Sequence, residues 1–156
     1  MRLHSPTVRP LGAAVLALAG LGLLSACSTG GGGGTPLSFS VGECLNDSDL
    51  TGEVRDVPRV DCSEPHDSEV YHVFDAVGKG ADEMYPDDDD LASQADEGCA
   101  EAFAGFVGVD ISESRLNYAS YTPLLSSWYE DHGREISCVV FDPDGQTTGS
   151  LENAAQ

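Results

Sequence analysis

The chain predicts an α+β domain: a small antiparallel sheet of four to five strands, one long helix and one short helix, cross-linked by two disulfides. Three observations carry this prediction. β-Branched and aromatic residues cluster in residues 68–74 and again in residues 135–141, as in strands. Between them Leu91, Ala95, Cys99, Ala102, Phe103 and Phe106 recur at three- and four-residue spacings, which places them on one face of a helix. Cysteines at 44, 62, 99 and 138 are even in number and far apart, the spacing of a disulfide framework. Strands, a helix and further strands in that order make an antiparallel sheet with its helices on one face.

Taken in order, residues 37–41 alternate apolar and polar, as a half-buried strand does. A polar turn over residues 46–49 follows. Val54, Val57 and Val60 then predict extended chain, with Pro58 assigning it to a sheet edge or a bend. The turn at residues 63–66 leads into the clearest early strand, residues 68–74, which ends at Gly78-Lys79-Gly80. Asp87 to Asp90 stand where carboxylates favour the positive end of a helix, and Gly108 lies beyond its last turn. Residues 115–121 alternate like a strand. Thr122-Pro123 reads as an N-cap followed by proline at the first helical position, opening a short helix through Trp128 and Tyr129. The last strand, residues 135–141, closes on the turn Asp142-Pro143-Asp144-Gly145.

The amino-terminal segment has a different character. Arg2 and Arg9 precede an apolar run from Leu11 to Leu24, shorter than the about 20 residues a spanning helix needs and in proportion with a signal-peptide core. Leu24-Ser25-Ala26-Cys27 is similar to a bacterial lipoprotein signal, in which cleavage before the cysteine frees a thiol for diacylglycerol. That resemblance implies loss of residues 1–26, lipidation of Cys27 and attachment to the outer face of the cell membrane. An uncleaved anchor or an ordinary secretory signal would also leave the domain outside the cytosol. Residues 27–36 include five consecutive glycines, a flexible tether rather than regular structure. The folded domain is expected over residues 37–151, and residues 152–156 form a tail without an apolar pattern, expected to fray.

Arg2 and Arg9 precede Cys27, so 5 of the 7 basic residues remain with all 27 acidic ones, a formal charge of −22 after Cys27. Nucleic acid is excluded as a partner, because its binding requires clustered Lys and Arg. Anionic headgroups repel such a domain, so it is expected to stand off the membrane. The expected partners are the membrane through the lipid anchor and an envelope protein or cell-wall component.

With Cys27 lipidated, four cysteines remain in an oxidising compartment, and two disulfides are expected. Three pairings are possible. Cys44–Cys62 and Cys99–Cys138 are favoured, because the first joins neighbouring early segments and the second pins the long helix to the last strand. Chain entropy values them at about 3 and about 4 kcal/mol respectively. The wide spacing argues against a zinc site, whose cysteines commonly pair about two to four residues apart.

Val41-Gly42-Glu43-Cys44-Leu45, and Val60-Asp61-Cys62-Ser63-Glu64-Pro65-His66-Asp67-Ser68-Glu69-Val70, resemble the motifs of the actinobacterial septum formation family. Tyr85-Pro86, Cys99, Pro123 with Ser127-Trp128, and Cys138 match the rest of that pattern in order. Where similar members carry a Gly-Asp-Arg turn, this chain reads Tyr129-Glu130-Asp131-His132-Gly133-Arg134, which alters the turn and keeps Arg134. The resemblance implies an extracytoplasmic domain with a role around division septa.

His66 with Glu64, Asp67 and Glu69 is the constellation that invites catalysis, since histidine beside carboxylates can act as general base or metal ligand. No nucleophile stands at a telling spacing. The structural reading therefore outweighs a metal-dependent envelope hydrolase: His66 and Glu69 hydrogen-bond the backbone at a turn, with Arg134 pairing Glu69. Asp87 to Asp90 could attract calcium, but adjacent aspartates cannot all face one ion. Trp128 reads as a core anchor before it reads as a sugar- or peptide-binding surface. The expectation is a non-enzymatic binding module of the cell envelope without cofactor, catalytic residue or metal, with His66, Glu69, Trp128 and Arg134 as the motif residues to locate.

Overall fold

A computed structural model describes residues 37–50 and 52–155. The expected signal segment, Cys27 and the expected glycine tether lie outside the described residues.

Five strands form one sheet: β1 (Cys44–Leu45), β2 (Arg59–Val60), β3 (Ser68–Asp75), β4 (Asn117–Tyr121) and β5 (Glu135–Phe141). Their order is β2-β1-β3-β5-β4, with every neighbouring pair antiparallel. β3 and β5 form the centre because they are the longest and most apolar. Their register shifts between Val70 and His72, where Tyr71 is the extra residue; by ordinary alternation Val70 faces one side of the sheet and Tyr71 the other.

The long helix, α1 (Asp88–Val107), follows its sequence signals at both ends. Asp87 is the N-cap, its carboxylate accepting from the Asp90 amide, and left-handed Gly108 closes the helix by donating to the Ala104 carbonyl. Its buried stripe, Leu91, Ala95, Cys99, Phe103 and Val107, packs on the sheet face that carries Tyr71, Cys138 and Val140. The opposite face, with Leu45, Val70 and Val139, is covered in part by Phe39 and Val57. Both expected disulfides are present, Cys44–Cys62 and Cys99–Cys138, the second joining α1 to β5.

Three expectations fail locally. Residues 37–41 make no strand. The Phe39 amide and the Ser38 hydroxyl donate to the Glu135 carboxyl instead of to a neighbouring strand, and Gly42, at φ 91°, turns the chain into β1. Residues 122–129 form successive turns and no helix. Ser127 and Trp128 donate to Leu124 and Leu125, a reach of three residues, and the Trp128 indole is drawn into the core, where it donates to the Glu83 carbonyl. Gly133 packs so closely on this segment that a Cβ there would lie 1.8 Å from the Ser127 carbonyl oxygen. The tail is also held: Leu151 is buried, and the Asn153 and Ala155 amides donate to the Phe106 and Val107 carbonyls at the end of α1. A short 3-10 turn, Ile111–Glu113, precedes β4 and has no clear sequence signal.

Candidate functional site

The Cys-Ser-Glu-Pro-His-Asp-Ser-Glu block runs from the end of β2 into β3. Asp61 immediately precedes it, its carboxylate accepting from the hydroxyl and amide of Ser63, which hold its pKa below the usual carboxylate range. Proline and the turn then direct His66 inward, where it is fully buried. Nδ1 faces the Glu64 carbonyl at 2.9 Å and therefore donates; Nε2 faces the Thr147 hydroxyl at 3.1 Å. The backbones of His66 and Thr147 exchange a pair of hydrogen bonds, 3.0 and 2.9 Å. Glu69, also buried, accepts from the Ser150 hydroxyl at 2.8 Å and from the Leu151 amide at 2.6 Å. Gly149 donates to the Cys62 carbonyl at 2.6 Å. The block thus clamps residues 147–151 to the sheet. It brings together His66 and Glu69, as expected, and adds Thr147 and Ser150, which sequence reasoning missed. The only sequence signal for that segment is Leu151, a lone large apolar residue in a polar stretch.

Cys44 Sγ, a His66 ring nitrogen and a Glu69 carboxyl oxygen lie within 4.8 Å of one another, all buried. Cys44 is bonded to Cys62, so its sulfur is no thiolate and cannot ligate a metal while that bond stands. His66 and Glu69 meanwhile have partners inside the chain. The expected Arg134–Glu69 pair does not form. Arg134 reaches Glu83 at 3.0 Å and lies over the Trp128 ring at 5.1 Å, because the turn before β5 places it at the other end of the sheet from Glu69. Trp128 is fully buried and meets Tyr85 edge-on, ring centroids 5.3 Å apart, while the Tyr85 hydroxyl donates to the Pro123 carbonyl. The Tyr-Pro and Pro-x-x-x-Ser-Trp segments are therefore one packing unit, and Arg134 roofs it. An exposed ion pair contributes about 0–1 kcal/mol and a cation over a ring about 0.5–1 kcal/mol. Arg134→Ala should accordingly lower stability by about 1 kcal/mol in urea melts; Glu69→Ala should cost distinctly more, and equal losses would contradict the reassigned pairing.

The aspartate run is occupied by structure. Lys79 Nζ bridges Asp87 at 2.8 Å and Asp90 at 2.9 Å, and Lys79 is the main cause that lowers the Asp87 pKa. The open surface lies elsewhere. A groove of about 680 Å³ crosses the second face of the sheet, floored by Ala119, Tyr121, Val139 and Phe141. Its walls are the loop around Asp47 and Ser48 and the turn from Asp142 to Gln146. Asp47 accepts from the Tyr121 and Ser68 hydroxyls, 2.7 and 2.8 Å, and burial together with that bond pushes the Tyr121 pKa up. Burial opposes ionisation of Asp67, but hydrogen bonds from Ser48 and Gln146 outweigh it and hold its carboxyl below the usual range. Asp67 stood out beside His66 and Asp142 to Gly145 as a closing turn, but nothing in the sequence joined them into a groove, because strands β4 and β5 assemble the floor only after folding.

Among the described residues no helix is long and apolar enough to cross a membrane. Neither a curated protein nor a solved structure matches the chain. The sequence profile described as septum formation matches residues 36–156, the whole folded part with its carboxyl-terminal segment. That span holds the Cys-Ser-Glu-Pro-His block, both disulfides and the packed Tyr-Pro and Ser-Trp segments and is more than half of the sequence, so the chain belongs to the septum formation family.

Proposed function

We propose that this protein is a non-enzymatic binding module of the cell envelope, tethered by lipid on Cys27 to the extracytoplasmic face of the membrane and acting in septum formation. One observation carries the non-enzymatic reading. His66 and Glu69, the only catalytic-looking pair that the sequence offers, are buried and hydrogen-bonded within the chain, with no face open to a substrate. The family match supports the process, and the Leu24-Ser25-Ala26-Cys27 sequence with the glycine tract supports the tether. A formal charge of −22 keeps the domain off anionic headgroups and available to other partners.

Two variants test the reading. Cys27→Ala should move the protein from the membrane pellet to the soluble fraction; a variant that still pellets removes the lipid anchor from the account. His66→Ala should lower the melting temperature and, below it, leave the in-cell cross-linked partner unchanged. An envelope-hydrolysing activity that His66→Ala abolishes without changing the melting temperature would establish the enzyme instead.

A further inference from the structure

The two edges of the sheet are unlike each other. β2 is two residues long, directly follows Pro58 and contains Arg59, a short edge blunted by proline and charge. β4, at the other edge, is five residues of Asn-Tyr-Ala-Ser-Tyr, without proline, lysine or a register shift against β5. The Tyr118 amide turns away from β5 and is held by the side chain of its own neighbour, Asn117, at 2.9 Å. Antiparallel alternation points the Ser120 amide the same way. Beside this edge lies the groove floored by Ala119, Tyr121, Val139 and Phe141, with Asp47, Asp67 and Asp142 around it. Each of the domain's five basic residues already has a carboxylate partner, including Arg115 on Asp142.

We infer that β4 and its groove receive an extended, Lys- or Arg-bearing segment of a partner protein, which adds to the sheet as a further antiparallel or parallel strand. The inference rests on the binding-module reading and names its surface and ligand chemistry. Strand addition pairs the outward amide of Ser120 and, by displacing the Asn117 side chain, that of Tyr118, and alternate side chains of the incoming segment enter the groove. Charge selects the occupant. A second copy of this chain would bring two domains of formal charge −22 together along their acidic rims, whereas a cationic strand meets Asp47 and Asp67 with the opposite sign, Asp142 being already paired with Arg115.

The test is titration of the full chain in detergent with a fluorescent peptide of alternating Lys and Val, against an alternating Glu and Val control. The Lys-Val peptide should bind saturably and the control should not. Ala119→Arg, which puts a cation into the exposed floor, should weaken binding about tenfold or more. N-methylation of the amides on one face of the peptide should weaken it about tenfold, that on the other face far less. Ser120→Pro should remove an outward donor and weaken binding while leaving the β5 ladder in place. Absence of saturable binding, or binding indifferent to Ala119→Arg and to both N-methylation patterns, would overturn the inference. If the peptide fails while in-cell cross-linking through another surface captures a partner, the groove assignment falls and the module reading stands. Cleavage of the bound peptide would keep the groove and overturn the non-enzymatic reading.

Discussion

Glu69→Ala is expected to destabilise the domain by about 2–5 kcal/mol, more than any surface substitution in this chain. The side chain is 1% exposed and accepts two hydrogen bonds, from the Ser150 hydroxyl and the Leu151 amide. Truncation leaves the Leu151 amide buried without an acceptor, and an unsatisfied buried donor costs more than a surface hydrogen bond yields. It also loosens Leu151 from the cluster with Tyr71, Phe103 and Val140, so an apolar loss adds to the polar one. Denaturant melts of wild type and variant measure the effect. Glu69→Gln should fall between them, since it keeps one acceptor and introduces an amide beside the Leu151 donor. A Glu69→Ala protein that melts with the wild type would show that residues 147–151 are not clamped by the motif.

Removing the Cys99–Cys138 bridge is the second large effect. The bond closes a separation of 39 residues, for which chain entropy predicts about 4 kcal/mol; Cys44–Cys62, at 18, predicts about 3 kcal/mol. The double variant Cys99→Ala, Cys138→Ala should therefore lose more stability than the corresponding pair at 44 and 62. Both sulfurs of the longer bridge are fully buried between α1 and β5, where alanines also leave a void. Exposure sets the reverse order for chemical attack. Cys62 is only partly buried, so a mild thiol reductant should open Cys44–Cys62 first, as alkylation followed by peptide mapping would record. Opening of Cys99–Cys138 first, or a double variant at 99 and 138 within about 1 kcal/mol of wild type, would contradict this assignment of the staple.

How far each element was legible in the sequence depended on whether its signal was local. Helix α1 has its cap, apolar stripe and terminating glycine in its own residues, and its bounds at Asp87 and Gly108 follow from them. β5 was legible for the same reason, as a bounded β-branched run, and the two bridges followed from cysteine spacing and the order of elements. Residues 122–129 show the opposite case. Thr122-Pro123 is a sound helix opening, but the burial of Trp128 and the close approach of Gly133 to Ser127 override it. Alternation at residues 37–41 likewise reads as a strand, yet the partner of its backbone is a side chain, Glu135, 96 residues from Phe39. Arg134 went to Glu83 rather than Glu69 because strand direction, invisible in a linear motif, separates them. In the candidate site, the sequence singled out His66 and Glu69 but not Thr147 or Ser150, which join them from across the chain.

The specific Cys-Ser-Glu-Pro-His-Asp-x-Glu block is an internal clamp on the carboxyl-terminal segment. Native-state hydrogen exchange at the Thr147 and Leu151 amides tests it most directly, because each donates into that block. Both should exchange about a thousandfold or more slowly than the free chain, and Glu69→Ala should release Leu151 in particular. Exchange of Leu151 at the free-chain rate in wild-type protein, while amides of α1 stay protected, would contradict it.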